Sequence, residues 1–408
     1  MLLVVMLVGI VAALFVFGMV DTNSLALRRD KDTAAALAEV KRALIGWAAQ
    51  RTSSNALPNA RPGELPCPDM NNDGFEDGTC AAGAIGRVPW KTLGIPEPKD
   101  GAGETLWYAV ADRFRIRLVN NNPINSDTPG DITVYQDSTA SAITTEAVAV
   151  LFAPSAAQGA QNRDTVATAL CPTTGTTIAR NLCAANYLDS SGSINNATPT
   201  ANLPLAPLPS FIAAPGSDTF NDKVMVITTA DLMPLVEQRV ASELRAALAA
   251  YKIESACACY PWADISDGTS QTDLNRGRVP TTALPEAWGS GDIPYLPGRD
   301  TGTPGWFVNN DWRKVIYYAV GRNYLQLAGG ACTSCIDATL TFDSTFPKEV
   351  VLIMPGPAGV SGAHTDWPFD YFEDAQNNDN TNNGYTGNDL YVTPSSTAYA
   401  RDRLYTIP

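Results

Sequence analysis

The chain opens almost without polar interruption: LLVVMLVGIVAALFVFGMV, residues 2–20, is an uncharged apolar run. A helix of that length, at about 1.5 Å per residue, reaches ~28 Å, close to the hydrocarbon thickness of a bilayer. The run therefore predicts a transmembrane anchor over residues 1–21. Beyond it the spacing turns amphipathic. In EVKRALIGW, 39–47, Val40, Leu44 and Trp47 fall on one helical face, and ELRAALAAY, 243–251, matches that block position by position. Leu232, Leu235, Val236 and Val240 extend the second stripe upstream, and Thr228 with Asp231 has capping-box spacing for its start.

Other blocks recur in the same order. GRVPWKTLGIPE, 86–97, is answered by GRVPTTALPE, 277–286, and LWYAVADRF, 106–114, by IYYAVGRNY, 316–324. AVAVLFAPSAAQGAQ, 147–161, returns as EVVLIMPGPAGVSGAH, 349–364, which has the form of a buried strand leaving into a Pro/Gly loop. NYLD, 186–189, parallels DYFED, 370–374, and DKVMVIT, 222–228, parallels DRLYTIP, 402–408. A shared order of local patterns implies a shared fold. With 408 residues, too many for one ordinary core, the repetition predicts two domains, 22–229 and 230–408. Each joins an amphipathic helix, a cysteine- and proline-rich loop and a small, mainly antiparallel sheet, an α+β architecture.

An apolar helix running into an alanine-rich amphipathic one, then a Pro/Cys loop, then strands, resembles the type IV pilins and type II secretion pseudopilins. ELPCPDMNNDG, GRVPWKTLGIPE and LWYAVADRF are similar to stretches of pilin-like, prepilin-type proteins of Gram-negative bacteria. The glutamate usual near the start of the family's mature helix has no counterpart in MLLVVMLVG. The resemblance implies a structural role without catalysis. The partners it implies are other pilin-like subunits or assembly proteins and the inner membrane, from which two tandem pilin-like domains would project.

Composition narrows the partners further. Against 28 basic residues stand 42 acidic ones, a formal charge of -14, which repels a phosphate backbone and argues against nucleic acid. All eight cysteines lie beyond the apolar run, as expected for an oxidising space, so the globular part is expected in the periplasm or at the cell surface with a single-pass inner-membrane anchor.

Within CPDMNNDGFEDGTC, 67–80, the spacing D-x-N-x-D-G-x-x-D equals the first nine positions of a calcium loop. Asp69, Asn71 and Asp73 would supply side-chain oxygens, Phe75 its carbonyl, and Asp77 a direct or water-mediated ligand. The twelfth position is Cys80, not a bidentate glutamate, which places any site in the weak class, roughly 10⁻⁴ to 10⁻³ M, where a structural ion makes more sense than a switch. The competing reading is an acidic turn closed by a Cys67–Cys80 disulfide that needs no ion. YPWADISDG, 260–268, is the weaker counterpart in the second copy.

Cys171 and Cys183 bracket a short loop and suggest a second disulfide. Cys257, Cys259, Cys332 and Cys335 have the count for a four-thiolate zinc site, but in an oxidising space two cross-disulfides are the commoner outcome and zinc is disfavoured. Catalytic signatures are sparse. His364 is the one histidine, Gln161 stands opposite it in the repeat, and no Gly-x-Ser-x-Gly elbow, P-loop or His-Glu-x-x-His occurs. Paired carboxylates for glycoside hydrolysis rank below a non-catalytic role. Trp107 is expected inside, and Trp306 and Trp312 are the freer candidates for a glycan- or protein-binding face, the basis of an alternative reading as an adhesin or binding protein. EDAQNNDNTNNGYTGND, 373–389, reads as a solvated loop.

Overall fold

A computed structural model describes residues 2–51, 60–81, 83–116, 123–137, 141–167, 169–171, 176–199, 209–254, 258–261, 263, 276–280, 306–321, 340–342, 346–358, 364, 371–372, 377, 390–393 and 402–407. It mixes helix and sheet, including a curled half-barrel sheet. Helix α1, Leu2–Gln50, is one continuous helix of 49 residues. No proline interrupts it, so nothing in the backbone chemistry ends it where an anchor would stop. This corrects the expected fold of a separate 1–21 membrane anchor followed by tandem domains. Among the described residues no helix is long and apolar enough to cross a membrane, which also corrects the single-pass inner-membrane placement. Hydropathy alone could not reveal that the apolar run shares one helix with the packed stretch after it.

Two compact units form, and neither is one uninterrupted stretch. The first contains Met1–Leu44, Pro66–Arg115 and Gly130–Ile227; the second contains Ile45–Leu65, Ile116–Pro129 and Thr228–Pro408. The chain thus leaves the first unit twice before Thr228.

In the first unit, Thr33, Leu37, Val40 and Leu44 form the buried stripe of α1, at steps that keep one helical face inward, while residues 24–32 are exposed. Strands β1 (Ile85–Arg87), β2 (Trp107–Val110), β3 (Ile132–Tyr135) and β4 (Ala142–Ala153) follow, with the one-turn helix α2 (Trp90–Leu93) after β1. Two small hairpins, β5 (Ala169–Cys171) with β6 (Thr176–Ile178) and β7 (Ser190–Ser191) with β8 (Ile194–Asn195), precede β9 (Ser210–Ile212) and β10 (Lys223–Thr228). The six-stranded sheet has the order β1-β2-β4-β3-β9, with β10 also paired to β4. Residues 147–153 of β4 are buried without a break, so both faces of this central strand are covered. Lys41 on α1 donates to Val226 O on β10 at 3.3 Å, and Thr33 Oγ1 accepts from Gly101 N at 2.9 Å.

The second unit is built on α3, Thr229–Glu254, whose first turn is closed as the spacing predicts: Asp231 Oδ2 accepts from both Thr228 N and Thr228 Oγ1 at 2.9 Å. Leu232, Met233, Val236, Val240, Leu244 and Leu248 bury its inner face. Next come β11 (Arg276–Arg278), the short helices α4 (Trp306–Asn309) and α5 (Trp312–Val315), and β12 (Tyr317–Val320). The last strands are β13 (Leu340–Phe342), β14 (Phe346–Lys348), β15 (Val350–Met354), β16 (Leu390–Tyr391) and β17 (Arg403–Ile407). The main sheet runs β11-β12-β15-β17, and β14-β13-β16 forms a smaller one.

The recurring sequence blocks take the same seats in both sheets. Gly86 pairs with Tyr108 and Gly277 with Tyr318; Tyr108 pairs with Leu151 and Tyr318 with Leu352, all antiparallel. Each tyrosine hydroxyl then donates to a proline carbonyl, Tyr108 to Pro66 O at 3.1 Å and Tyr318 to Pro261 O at 2.9 Å.

Candidate functional site

The acidic loop is fixed at both ends. Cys67 and Cys80 are joined, with Cα atoms 5.8 Å apart. Asp69 lies beside β1, exchanging backbone hydrogen bonds with Arg87: Arg87 N donates to Asp69 O at 2.7 Å and Asp69 N to Arg87 O at 3.0 Å. So close an approach requires glycine at 86, where a Cβ would sit 2.5 Å from Asp69 O.

Inside the loop the acidic and amide side chains bond to backbone amides. Asp69 Oδ1 accepts from Asn72 N at 2.6 Å and Asp73 N at 3.3 Å, and Oδ2 accepts from Gly74 N at 2.7 Å. Asn71 Oδ1 accepts from Asp73 N at 2.9 Å and Asp73 Oδ1 from Phe75 N at 2.8 Å. Asp77 closes the ring, taking Met70 N at 2.6 Å and Asn71 Nδ2 at 3.3 Å. Gly74 turns the chain at φ 89°, where a side chain would also strike the Trp90 indole at 2.8 Å. Asp69 is buried, and that burial raises its pKa against the lowering effect of the amides.

Four of the five expected calcium ligands are thus linked side chain to backbone within one turn, and Asp69 Oδ1, with two amides on it, has both its lone pairs engaged. The Phe75 ring is exposed and Lys91 Nζ lies 5.0 Å from its centre, while the same ammonium donates to Asp73 O. A lysine at the rim competes electrostatically with any cation. Among the described residues no group of three or more His, Cys, Asp or Glu side chains is arranged to hold a metal ion. The chemistry available here is oxygen-donor binding and backbone ordering.

Cys171 and Cys183 form a second disulfide, Cα atoms 5.7 Å apart. Cys259 is buried; Cys257, Cys332 and Cys335, and with them the zinc and cross-disulfide readings, lie outside the described residues, as does most of 260–268 and of 373–389. Asn377, from the latter stretch, is fully buried and bonds both Val392 N and O at 3.0 Å. Trp107 is inside, 5.2 Å from the Tyr187 ring. Trp306 and Trp312 are also buried, at 6% and 0% exposure, which corrects their expected place on a binding face. The short helices α4 and α5 turn both indoles inward, and four-residue helices leave no periodicity in the sequence to announce it.

Buried polar clusters carry more of the electrostatics than the motifs suggested. In the first unit, Asp222 Oδ2 accepts from Asp189 N and Asn196 Nδ2, both at 2.9 Å. Burial, then the charge of Asp189, pushes the Asp222 pKa up to about 7. Asp189, in turn, accepts from Gln161 Nε2 at 2.8 Å and Asn221 N at 2.7 Å and borders an open pocket of about 310 Å³, with Gln158, Ser190, Asn195 and Asp218. Asp222 is not in the lining, whereas Asp189 and Asp218 both are. In the second unit, Glu64 is flanked by Arg61 Nε at 3.3 Å and Arg51 Nε at 3.6 Å, yet burial outweighs both and raises its pKa to about 7. Arg61 Nη1 donates to Asn310 Oδ1 at 2.6 Å. Glu237, fully buried on α3, accepts from Ser126 Oγ at 2.6 Å and pairs with Arg403. One signal for the first cluster was available: Asp222 and Asp402 hold the same place in DKVMVIT and DRLYTIP, and both are buried.

No protein-family model, curated protein or solved structure matches the chain.

Proposed function

We propose that this protein is a structural, non-catalytic subunit of a type IV pilus or type II secretion apparatus, or a factor in its assembly. The observation that carries the reading is α1: a 49-residue helix packed along one face from Thr33 onward and exposed over residues 24–32, so that this stretch is left for contacts with other subunits. The sequence resemblance supports the same role, and a chain stiffened by two disulfides and many side chain-to-backbone bonds suits a load-bearing part. The acidic loop would hold, at most, a weak structural calcium ion through Asp69, Asn71, Asp73, Phe75 O and Asp77. Deleting the gene and scoring surface fibres and secreted proteins tests the proposal. Loss of either, restored by the intact gene, is expected; unchanged fibres and secretion would refute it.

The polar pocket beside Asp189 favours a second reading, a binding protein or adhesin for glycans or surfaces. It predicts saturable binding of the folded chain on a glycan array, weakened by D218N, in a strain whose fibres and secretion are unaffected by deletion.

A further inference from the structure

Three stretches of the first unit meet around the pocket beside Asp189: 158–161, in the loop that follows β4, 185–195, which carries β7 and β8, and the turn at 218–219. Gln161 is held there in one orientation. Arg163 can only donate, so its Nη2 bond to Gln161 Oε1 at 2.8 Å leaves the amide nitrogen for Asp189 Oδ1, also at 2.8 Å. Gln158 is held more loosely, with its Nε2 reaching Ser217 O at 3.4 Å. Gln158 Oε1 is buried and has no hydrogen-bond partner among the described residues, a cost that a ligand donor would remove. Leu188, Ala185 and Ala160 make the apolar part of the wall.

The charge of this pocket is one-sided. Asp189 and Asp218 both lie in the lining, and among the described residues no lysine, arginine or histidine joins them there. Asp222, whose Oδ2 accepts from Asp189 N at 2.9 Å, adds a third carboxyl group behind them. Arg163, the cation that reaches this network, is already committed: its Nη1 meets Glu104 Oε1 at 3.0 Å and Ser155 O at 2.8 Å, and its plane lies 4.5 Å over the Tyr187 ring. Asp218 is exposed, and its carboxylate has neither an ion pair nor a hydrogen bond among the described residues. A cleft lined by one sign of charge concentrates ligands of the other sign, so this one draws cations and turns away phosphates, sulfates and uronates.

We infer that this pocket takes a single sugar unit carrying a free amine, a hexosamine in its ammonium form, with the ammonium answering Asp189 and Asp218 and the hydroxyls answering Gln158 Oε1 and the Ser190 hydroxyl. The inference rests on the reading of the pocket as a glycan site and adds the charge of the glycan. A volume of about 310 Å³ lies at the small end of the range for small-molecule pockets, which suits one ring and not a chain of them. A bare metal ion is a poorer match, since among the described residues no three acidic, histidine or cysteine side chains gather to hold one. A linear amine would satisfy the carboxylates and leave Gln158 Oε1 and Ser190 unanswered. A sugar ring supplies hydroxyls at its rim and a C–H face for Leu188. Because hydrogen bonds between ions are roughly twice as strong as neutral ones, the amine sets the preference and the hydroxyls set the fit.

Calorimetric titration of the full chain at pH 6.5 with glucosamine, glucose, N-acetylglucosamine and butylamine tests this. Glucosamine should bind ~10-fold more tightly than either neutral sugar, the factor that one charge-assisted hydrogen bond supplies, and more tightly than butylamine. Added salt should narrow the gap between glucosamine and glucose. D218N, a change at an exposed position, should weaken glucosamine ~10-fold and leave the neutral sugars as they were, whereas Q158L should weaken all three sugars and keep their order. Glucose bound as tightly as glucosamine, or a preference for glucosamine undiminished in D218N, would overturn the inference and leave a neutral glycan site standing. Butylamine bound as tightly as glucosamine would overturn it in favour of an amine site, lysine side chains included. No binding of any sugar would overturn both the inference and the glycan reading beneath it.

Discussion

Asp222→Asn should make the protein more stable at neutral and alkaline pH. The folded state raises the Asp222 pKa from 3.8 to about 7, chiefly through burial and secondarily through Asp189. A carboxyl whose pKa is higher folded than unfolded binds its proton more tightly in the native state. Stability is then greatest below the unfolded pKa, falls as pH rises from near 4 to near 7, and is level beyond. Integrated over that window the loss is on the order of 4 kcal/mol. Asparagine removes the charge and keeps an oxygen to accept from Asp189 N and Asn196 Nδ2. Its amide nitrogen would take the place of Asp222 Oδ1, which has no hydrogen-bond partner among the described residues, and an unsatisfied buried donor costs about 1–2 kcal/mol.

The expected balance is a gain of about 2 kcal/mol at pH 8 and a small loss at pH 4. Urea unfolding at both pH values, read from exchange of the β4 and β10 amides, isolates the first unit. A variant no more stable than wild type at pH 8, with the wild-type pH slope intact, would show that Asp222 is not the buried acid described.

Serine at both Cys67 and Cys80 opens a link of sequence separation 13, for which the chain-entropy relation gives a loss of about 3 kcal/mol in the first unit; an unchanged urea midpoint would mean that the Asx bonds alone constrain the loop. Millimolar calcium against chelator should raise the melting midpoint if the loop binds the ion in the folded state only, by about 1–3 kcal/mol of linkage at 10 to 100 times the dissociation constant, and D69N should abolish the shift. Residues 228–408 expressed alone lack Ile45–Leu65 and Ile116–Pro129 and should give no cooperative transition by calorimetry, since Arg61, Glu64 and Ser126 would be missing from buried contacts.

The parts of this fold visible in the sequence are those written as local period. Val40 and Leu44 of α1, and Leu244 and Leu248 of α3, repeat at helical spacing and are buried. The strand blocks repeat as short apolar runs ended by Pro and Gly, and Asp69 to Asp77 is a local spacing that closes on itself through Asx bonds. What did not show is written in polar residues whose partners are distant. Arg61 meets Asn310, Ser126 meets Glu237, and Asp127 meets His364, and no hydropathy pattern links such positions. The assignment of Ile45–Leu65 and Ile116–Pro129 to the second unit was therefore invisible, although Glu237, a carboxylate set among Met233, Val236 and Val240 on a buried face, hinted that something must come to meet it.

Comparing the units with each other separates scaffold from speciality. Both keep the strand order, the tyrosine hydroxyl on a proline carbonyl, and a left-handed residue just after the central strand, Ser155 at φ 55° and Gly356 at φ 78°. Each of these anchors backbone. The disulfide-closed ring of Asp69, Asn71, Asp73 and Asp77 sits in the first unit, and the His364–Asp127 pair in the second. If the two units arose as copies, their common part is what folding demands. Whatever distinguishes this protein's work from that of a bare scaffold is then to be sought in side chains outside that common part.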